Sequence, residues 1–146
     1  MRGLRALRPS ERRKVHIADL RRWTGSIDLD ETLKHDPTEG RQSRWDYGIG
    51  FDDASGNRAA VWVEVHPASN PRSVRDVVDK AAWLRRWLAR HGPELLDRTH
   101  RAEAHLNDAP YVWITTEGVD LPNPAKTKRH LAQHGLSGPV RGLRIP

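Results

Sequence analysis

Three side chains of this sequence combine type and spacing in a way that chemistry can use: Asp46, Glu64 and His66. Residues 44–51 and 58–66 read as the two strands of a hairpin, with Asp52-Asp53-Ala54-Ser55-Gly56-Asn57 as turn material. The apolar residues Tyr47, Ile49, Phe51, Val61, Val63 and Val65 are all odd-numbered, so gathering them on one face requires opposed positions whose numbers have an even sum. A three-residue loop, Ala54-Ser55-Gly56, gives that register and puts glycine where a left-handed backbone is needed. Tyr47 then faces Val63, Ile49 faces Val61, and Asp46 faces Glu64, with Cβ atoms of facing residues ~5 Å apart. A two-residue Ser55-Gly56 turn would scatter the group. Two carboxylates this close repel unless a cation lies between them. His66 is one pleat further along the same face. Arg44, opposite His66, could be that cation and leave only a solvated polar face. The alternative is a divalent metal held by Asp46 and Glu64; oxygen ligands suit Mg2+ or Mn2+. Such an ion polarises a phosphoryl oxygen and generates hydroxide from bound water.

The elements that must position these residues follow from punctuation and periodicity. Ser10 can cap a helix over residues 11–23, with Gly25 beyond its end. Residues 28–35 suit a helical turn or two, and 36–40 a loop. After the hairpin, Pro67 to Pro71 breaks the strand, and Ser73 with Asp76 has the spacing of a capping box. The helix it opens spans 73–90 and buries Val74, Val77, Val78, Ala81, Leu84 and Leu88; His91-Gly92-Pro93 stops it. Residues 94–109 read as a short helix and a polar loop, 111–115 as an apolar strand, 124–134 as a basic helix closed by Gly135, and 140–145 as a last edge strand. This order predicts a single α/β domain: a small mixed sheet built on the central hairpin, with flanking helices.

An aspartate before a hairpin turn, followed by Val61-Trp62-Val63-Glu64-Val65-His66, resembles the PD-(D/E)XK nuclease superfamily. There an aspartate on one strand and a glutamate-x-lysine on the next hold a metal and activate water. The helix and strand that follow also match, so the resemblance covers roughly residues 10–116. It implies a restriction-endonuclease-like fold and phosphodiester hydrolysis on DNA or RNA. His66 stands at the position of the motif lysine, and Trp45 rather than proline precedes Asp46. A third antiparallel strand before the hairpin is not evident. In some branches the lysine comes from the following helix, where Lys80 is the candidate. The resemblance thus assigns Asp46 and Glu64 as metal ligands, His66 as a third ligand or water-positioning base, and Lys80 as the cation stabilising the charged transition state. Asp19 is a candidate outer carboxylate. The rival class is a non-catalytic binding or adaptor domain.

Charge placement bears on the partner. The 146 residues carry a net +6, and residues 1–25 hold the entire excess, with eight basic and two acidic side chains. A basic segment suits polyphosphate, because each phosphate contact releases counterions; arginine outnumbering lysine twenty to five also fits a compositional bias of the coding sequence. Residues 1–9 read as a flexible basic arm ahead of a domain over 10–146. Arg5, Arg8, Arg12 and Arg13, with Arg85 and Arg86 on the polar side of the long helix, are the candidate nucleic-acid contacts. The absence of cysteine excludes disulfides and thiolate zinc sites. No apolar run approaches a membrane span, and the start lacks the apolar stretch of a secretory leader, so a cytoplasmic location is expected. His130 and His134 have zinc-ligand spacing but no third ligand nearby in sequence. Gly48-x-Gly50 reads as room for close approach of another backbone. Trp62 and Trp113 read as core, Trp83 and Trp87 as partly buried.

Overall fold

Odd-numbered apolar residues dictate the hairpin, and it forms in the register they require. In the computed structural model, which describes residues 1–146, β3 (Tyr47–Asp52) and β4 (Arg58–Val65) pair antiparallel with Tyr47 opposite Val63 and Ile49 opposite Val61. Asp53 and Asn57 close the turn by a backbone bond of 2.8 Å, and Gly56 takes φ +81° in the three-residue loop.

The hairpin is the middle of a five-stranded sheet of order β2-β3-β4-β5-β6. β2 (Trp23–Asp28) runs antiparallel to β3, while β5 (Tyr111–Ile114) and β6 (Leu136–Val140) continue parallel from β4. Parallel pairing needs crossovers. The first is α3 (Pro71–His91) followed by α4 (Pro93–Leu106); the second is α5 (Pro124–Gln133). A separate parallel pair joins β1 (Val15–Ile17) to β7 (Leu143–Ile145).

Both sheet faces are covered by apolar clusters. On one, Tyr47, Ile49, Phe51, Val61 and Val63 pack with Val15, Ile17, Leu143 and Ile145 of the small sheet. On the other, Trp62 and Trp113 pack with Val77, Ala81, Leu84 and Leu88 of α3 and Leu131 of α5. A strand covered on both faces lacks simple polar alternation, which is why β4 is buried from Ala59 to Glu64.

Several expectations are corrected. The helix over 11–23 stops after one turn as α1 (Pro9–Arg12). Val15 and Ile17 are buried and His16 exposed, a period-two pattern that pairs with β7. Gly25 lies at an irregularity within β2 instead of ending a helix. The last segment is two strands in different sheets. Asn70, not Ser73, caps α3: its Oδ1 accepts from the Ser73 N–H at 3.2 Å, and Pro71 opens the first turn. The expected loop before residue 109 is mostly helix α4.

Residues 1–9 do not stand off as an arm. The Met1 ammonium donates to the Ser26 carbonyl at 2.9 Å, and the Ser26 N–H donates back to the Met1 carbonyl at 2.8 Å. Leu7 is buried in the first core. The segment therefore lies along the outer edge of β2 and covers donors that would otherwise be open. No helix is long and apolar enough to cross a membrane.

Candidate active site

Asp46 sits where β3 begins and Glu64 near where β4 ends, and main-chain bonds lock the two together. The Asp46 N–H donates to Glu64 Oε2 at 3.0 Å, and Asp46 Oδ2 accepts from the Val65 N–H at 3.0 Å. Lys80 reaches across from α3: its Nζ donates to Glu64 Oε1 and lies 4.0 Å from Asp46 Oδ1. The side chain of Glu64 is 0 % exposed, while Asp46 and Lys80 keep 23 % and 21 %.

This burial sets the electrostatics. Desolvation, reinforced by Asp46, pushes Glu64 up to about 8 against the pull of Lys80. Asp46 rises to about 6, mainly through burial. Burial works to lower Lys80, but Glu64 and Asp46 hold it above its ordinary value. The group is short of positive charge: two carboxylates share one ammonium. Asp46 Oδ1 is the one carboxylate oxygen of the pair without a hydrogen bond, since Glu64 Oε1 and Oε2 are taken by Lys80 and by the Asp46 N–H.

Around Asp46 lies a polar cleft of about 160 Å3 bounded by Arg8, Glu11, Asp28, Asp30 and Tyr47. The Tyr47 hydroxyl donates to Glu11 Oε2 at 2.5 Å. Asp28 Oδ1 caps the short helix α2 (Leu29–Leu33) through the Glu31 N–H at 2.8 Å, and Asp30 takes the Arg44 guanidinium at 2.8 Å. The sequence reading missed these cleft residues. Asp28 was legible only as the start of a helical turn, Tyr47 only as core, and Glu11 only as an acid among arginines.

His66 is not drawn into the group. Its Nε2 lies 4.0 Å from Asp76 Oδ2 on α3. Burial, then Lys80, lowers its pKa, so the ring stays neutral at physiological pH. No three acidic or histidine side chains converge as a metal-ligand cluster. Magnesium retains several waters and takes one or two carboxylates with substrate phosphate. Of the two carboxylates, Asp46 Oδ1 is the accessible donor, and Glu64 would join it only by releasing Lys80 or the Asp46 N–H.

The metal-free alternative is realised by Lys80 and not by Arg44, which donates to the carbonyls of Glu39 and Gly40 at 3.1 and 2.7 Å. Asp19 caps a 3-10 turn and pairs with Arg21 at 2.9 Å, away from the cleft. Arg12 ties residues 5–7 together through the carbonyls of Leu7 and Arg5. Arg85 donates to the His134 carbonyl at 2.5 Å and lies 4.7 Å over the Tyr111 ring. Arg12 and Arg85 thus do structural work, whereas Arg5, Arg8, Arg13 and Arg86 are exposed. The rings of His130 and His134 meet edge to face at 4.8 Å without a third ligand. The space at Gly48 and Gly50 is taken by the Trp62 ring and the Thr24 hydroxyl, side chains rather than the expected backbone.

Compared with protein-family models, curated proteins and solved structures, the chain matches none.

Proposed function

We propose that this protein is a divalent-metal-dependent phosphodiesterase acting on DNA or RNA, with a restriction-endonuclease-like core. The observation that carries the reading is the meeting of Asp46, Glu64 and Lys80 where the antiparallel hairpin turns into the parallel crossover. Two further features support it. β2 supplies the third antiparallel strand that the resemblance called for, and Lys80 on α3 brings an ammonium to Glu64 although position 66 is histidine.

Asp46 and Glu64 would hold Mg2+ or Mn2+, which when bound would supply Lewis acidity at a phosphoryl oxygen and a more acidic water. Lys80, fixed by burial, places positive charge where the transition state gains negative charge. His66, kept neutral, retains a lone pair that can take a proton from water. The carboxylates of the cleft disfavour a phosphodiester beside Asp46 unless a cation is there, so seating of the scissile phosphate would depend on metal loading.

The test is cleavage of single- and double-stranded DNA and RNA, with and without manganese. Glu64→Gln preserves shape and removes a ligand charge, so cleavage should fall at least several hundredfold, ~4 kcal/mol in barrier. Absence of metal-dependent cleavage by the wild type on every substrate refutes the enzyme. A non-cleaving nucleic-acid-binding domain is the second reading, favoured by the closure of Glu64 on Lys80 and on the Asp46 N–H.

A further inference from the structure

The face of the sheet that bears Glu64 is covered by α3 over Trp113 and Trp62, but its β2–β3 end is open. There a second cavity, of about 170 Å3, lies over Gly48 and Gly50 and is bounded by Ile27, Trp62, Leu95 and Arg98. Its shape follows from the glycines. A Cβ at Gly48 would stand 2.5 Å from the Trp62 ring, and one at Gly50 would stand 2.5 Å from the Thr24 hydroxyl. Without those atoms the walls settle onto the β3 backbone and leave an apolar recess.

Two observations point to an occupant. Ile27 is 38 % exposed at the rim, one of few large apolar side chains left in solvent. Arg98 is half-buried at the same recess, and no carboxylate or carbonyl of the chain engages its guanidinium. Its nitrogens are not among the buried side-chain atoms left without a partner, so they meet solvent at the rim and are free to take an anion. The recess is smaller than the ~300 Å3 or more of a site that encloses a whole small molecule, so it suits one ring system of a larger ligand. Gly48 follows Asp46 by two residues and Gly50 by four, which puts the recess about 7–14 Å along the strand from the candidate active site.

We infer that this recess receives an unpaired nucleobase of the substrate strand, with Arg98 on the adjoining phosphate, so that single-stranded nucleic acid is the favoured substrate class. This rests on the phosphodiesterase reading. A base inside a duplex cannot enter without unstacking, which costs a few kcal/mol, whereas an unpaired base enters freely.

The experiment measures binding of the full chain, without divalent metal, to a short oligothymidylate, to a base-less strand of equal length and to a duplex. The wild type should bind the oligothymidylate most tightly. Arg98→Gln should weaken that binding roughly tenfold and lower the slope of log K against log salt by about 0.7, the value for one phosphate on a single strand. Ile27→Gln, a neutral change at an exposed position, should weaken the oligothymidylate severalfold and leave the base-less strand unchanged. Equal affinity for the oligothymidylate and the base-less strand, or an unchanged salt slope in Arg98→Gln, overturns the inference. Metal-dependent cleavage is scored separately. Cleavage without strand preference sinks the recess alone, and strand preference without cleavage sinks the enzyme alone.

Discussion

Glu64 makes a test that needs no substrate. In the native chain its carboxyl is pushed from an ordinary 4.5 up to about 8 by burial and by Asp46. A carboxyl raised in this way binds its proton more tightly folded than unfolded. The stability it contributes is complete below the unfolded value and is lost as pH climbs to the folded one. Each pKa unit is about 1.4 kcal/mol, so the interval from 4.5 to about 8 caps the loss at ~5 kcal/mol. Asp46, raised from 3.8 to about 6, adds a loss that is over by neutral pH. His66, held below 6.5, acts with the opposite sign: stability falls as pH drops and the unfolded imidazole takes the proton first. Glu64→Gln removes the first contribution and leaves Lys80 to Asp46 alone, so the difference between variant and wild type reports the pair and is dominated by Glu64. The assay is the urea midpoint of both metal-free proteins from pH 5 to pH 8. The wild type should lose a few kcal/mol relative to the variant across that interval, most of it above pH 6. Manganese at pH 8 should restore the wild type, because a ligand that binds only the native state stabilises it by mass action, and should do much less for the variant. Parallel pH profiles would refute the reasoning and mean that Lys80 keeps Glu64 ionised throughout.

Lys80→Met removes the only cation on Glu64 and should cut manganese-dependent cleavage at least a hundredfold, ~2.7 kcal/mol in barrier, while leaving a folded protein by circular dichroism at pH 6. His66→Lys should lower cleavage without abolishing it, because it removes the neutral ring as proton acceptor but puts the motif lysine at that position, and the ring lies outside any ligand cluster; a dead variant with intact structure would make His66 an obligatory ligand or base. Leu7→Ala should cost ~2–5 kcal/mol in urea unfolding, as for a fully buried leucine. An unchanged midpoint would return residues 1–9 to the status of a loose arm.

What the sequence could reveal depended on whether a pattern had one physical solution. The hairpin did, because a one-residue slip would have set Tyr47 and Ile49 opposite even-numbered positions and split the cluster they form with Val61 and Val63 between the two faces. The stripe Val77, Ala81, Leu84 and Leu88 did also, since only a helix brings those positions together. Residues 11–23 had two solutions. Glu11, Arg12, Arg13 and Lys14 suit a helix, while Val15-His16-Ile17 suits a strand, and the partner that decided between them, β7, lies over a hundred positions away. Local propensity gave way to a tertiary contact that no window can see. The site divides along the same line. Asp46 and Glu64 meet through a local hairpin and were legible; Lys80 was legible only through the resemblance. The cleft is assembled from α1, the end of β2, α2 and the start of β3, so Glu11 meets Asp28 and Asp30 only once the first segment folds back. Only Glu11 links the error about residues 11–23 to the missed cleft; Asp28 and Asp30 lie in a segment whose helical turn was legible. Glu11 joins Asp28 and Asp30 beside Asp46 because the N-terminal segment packs along the sheet edge, and Arg8 of the same segment lines the cleft with them.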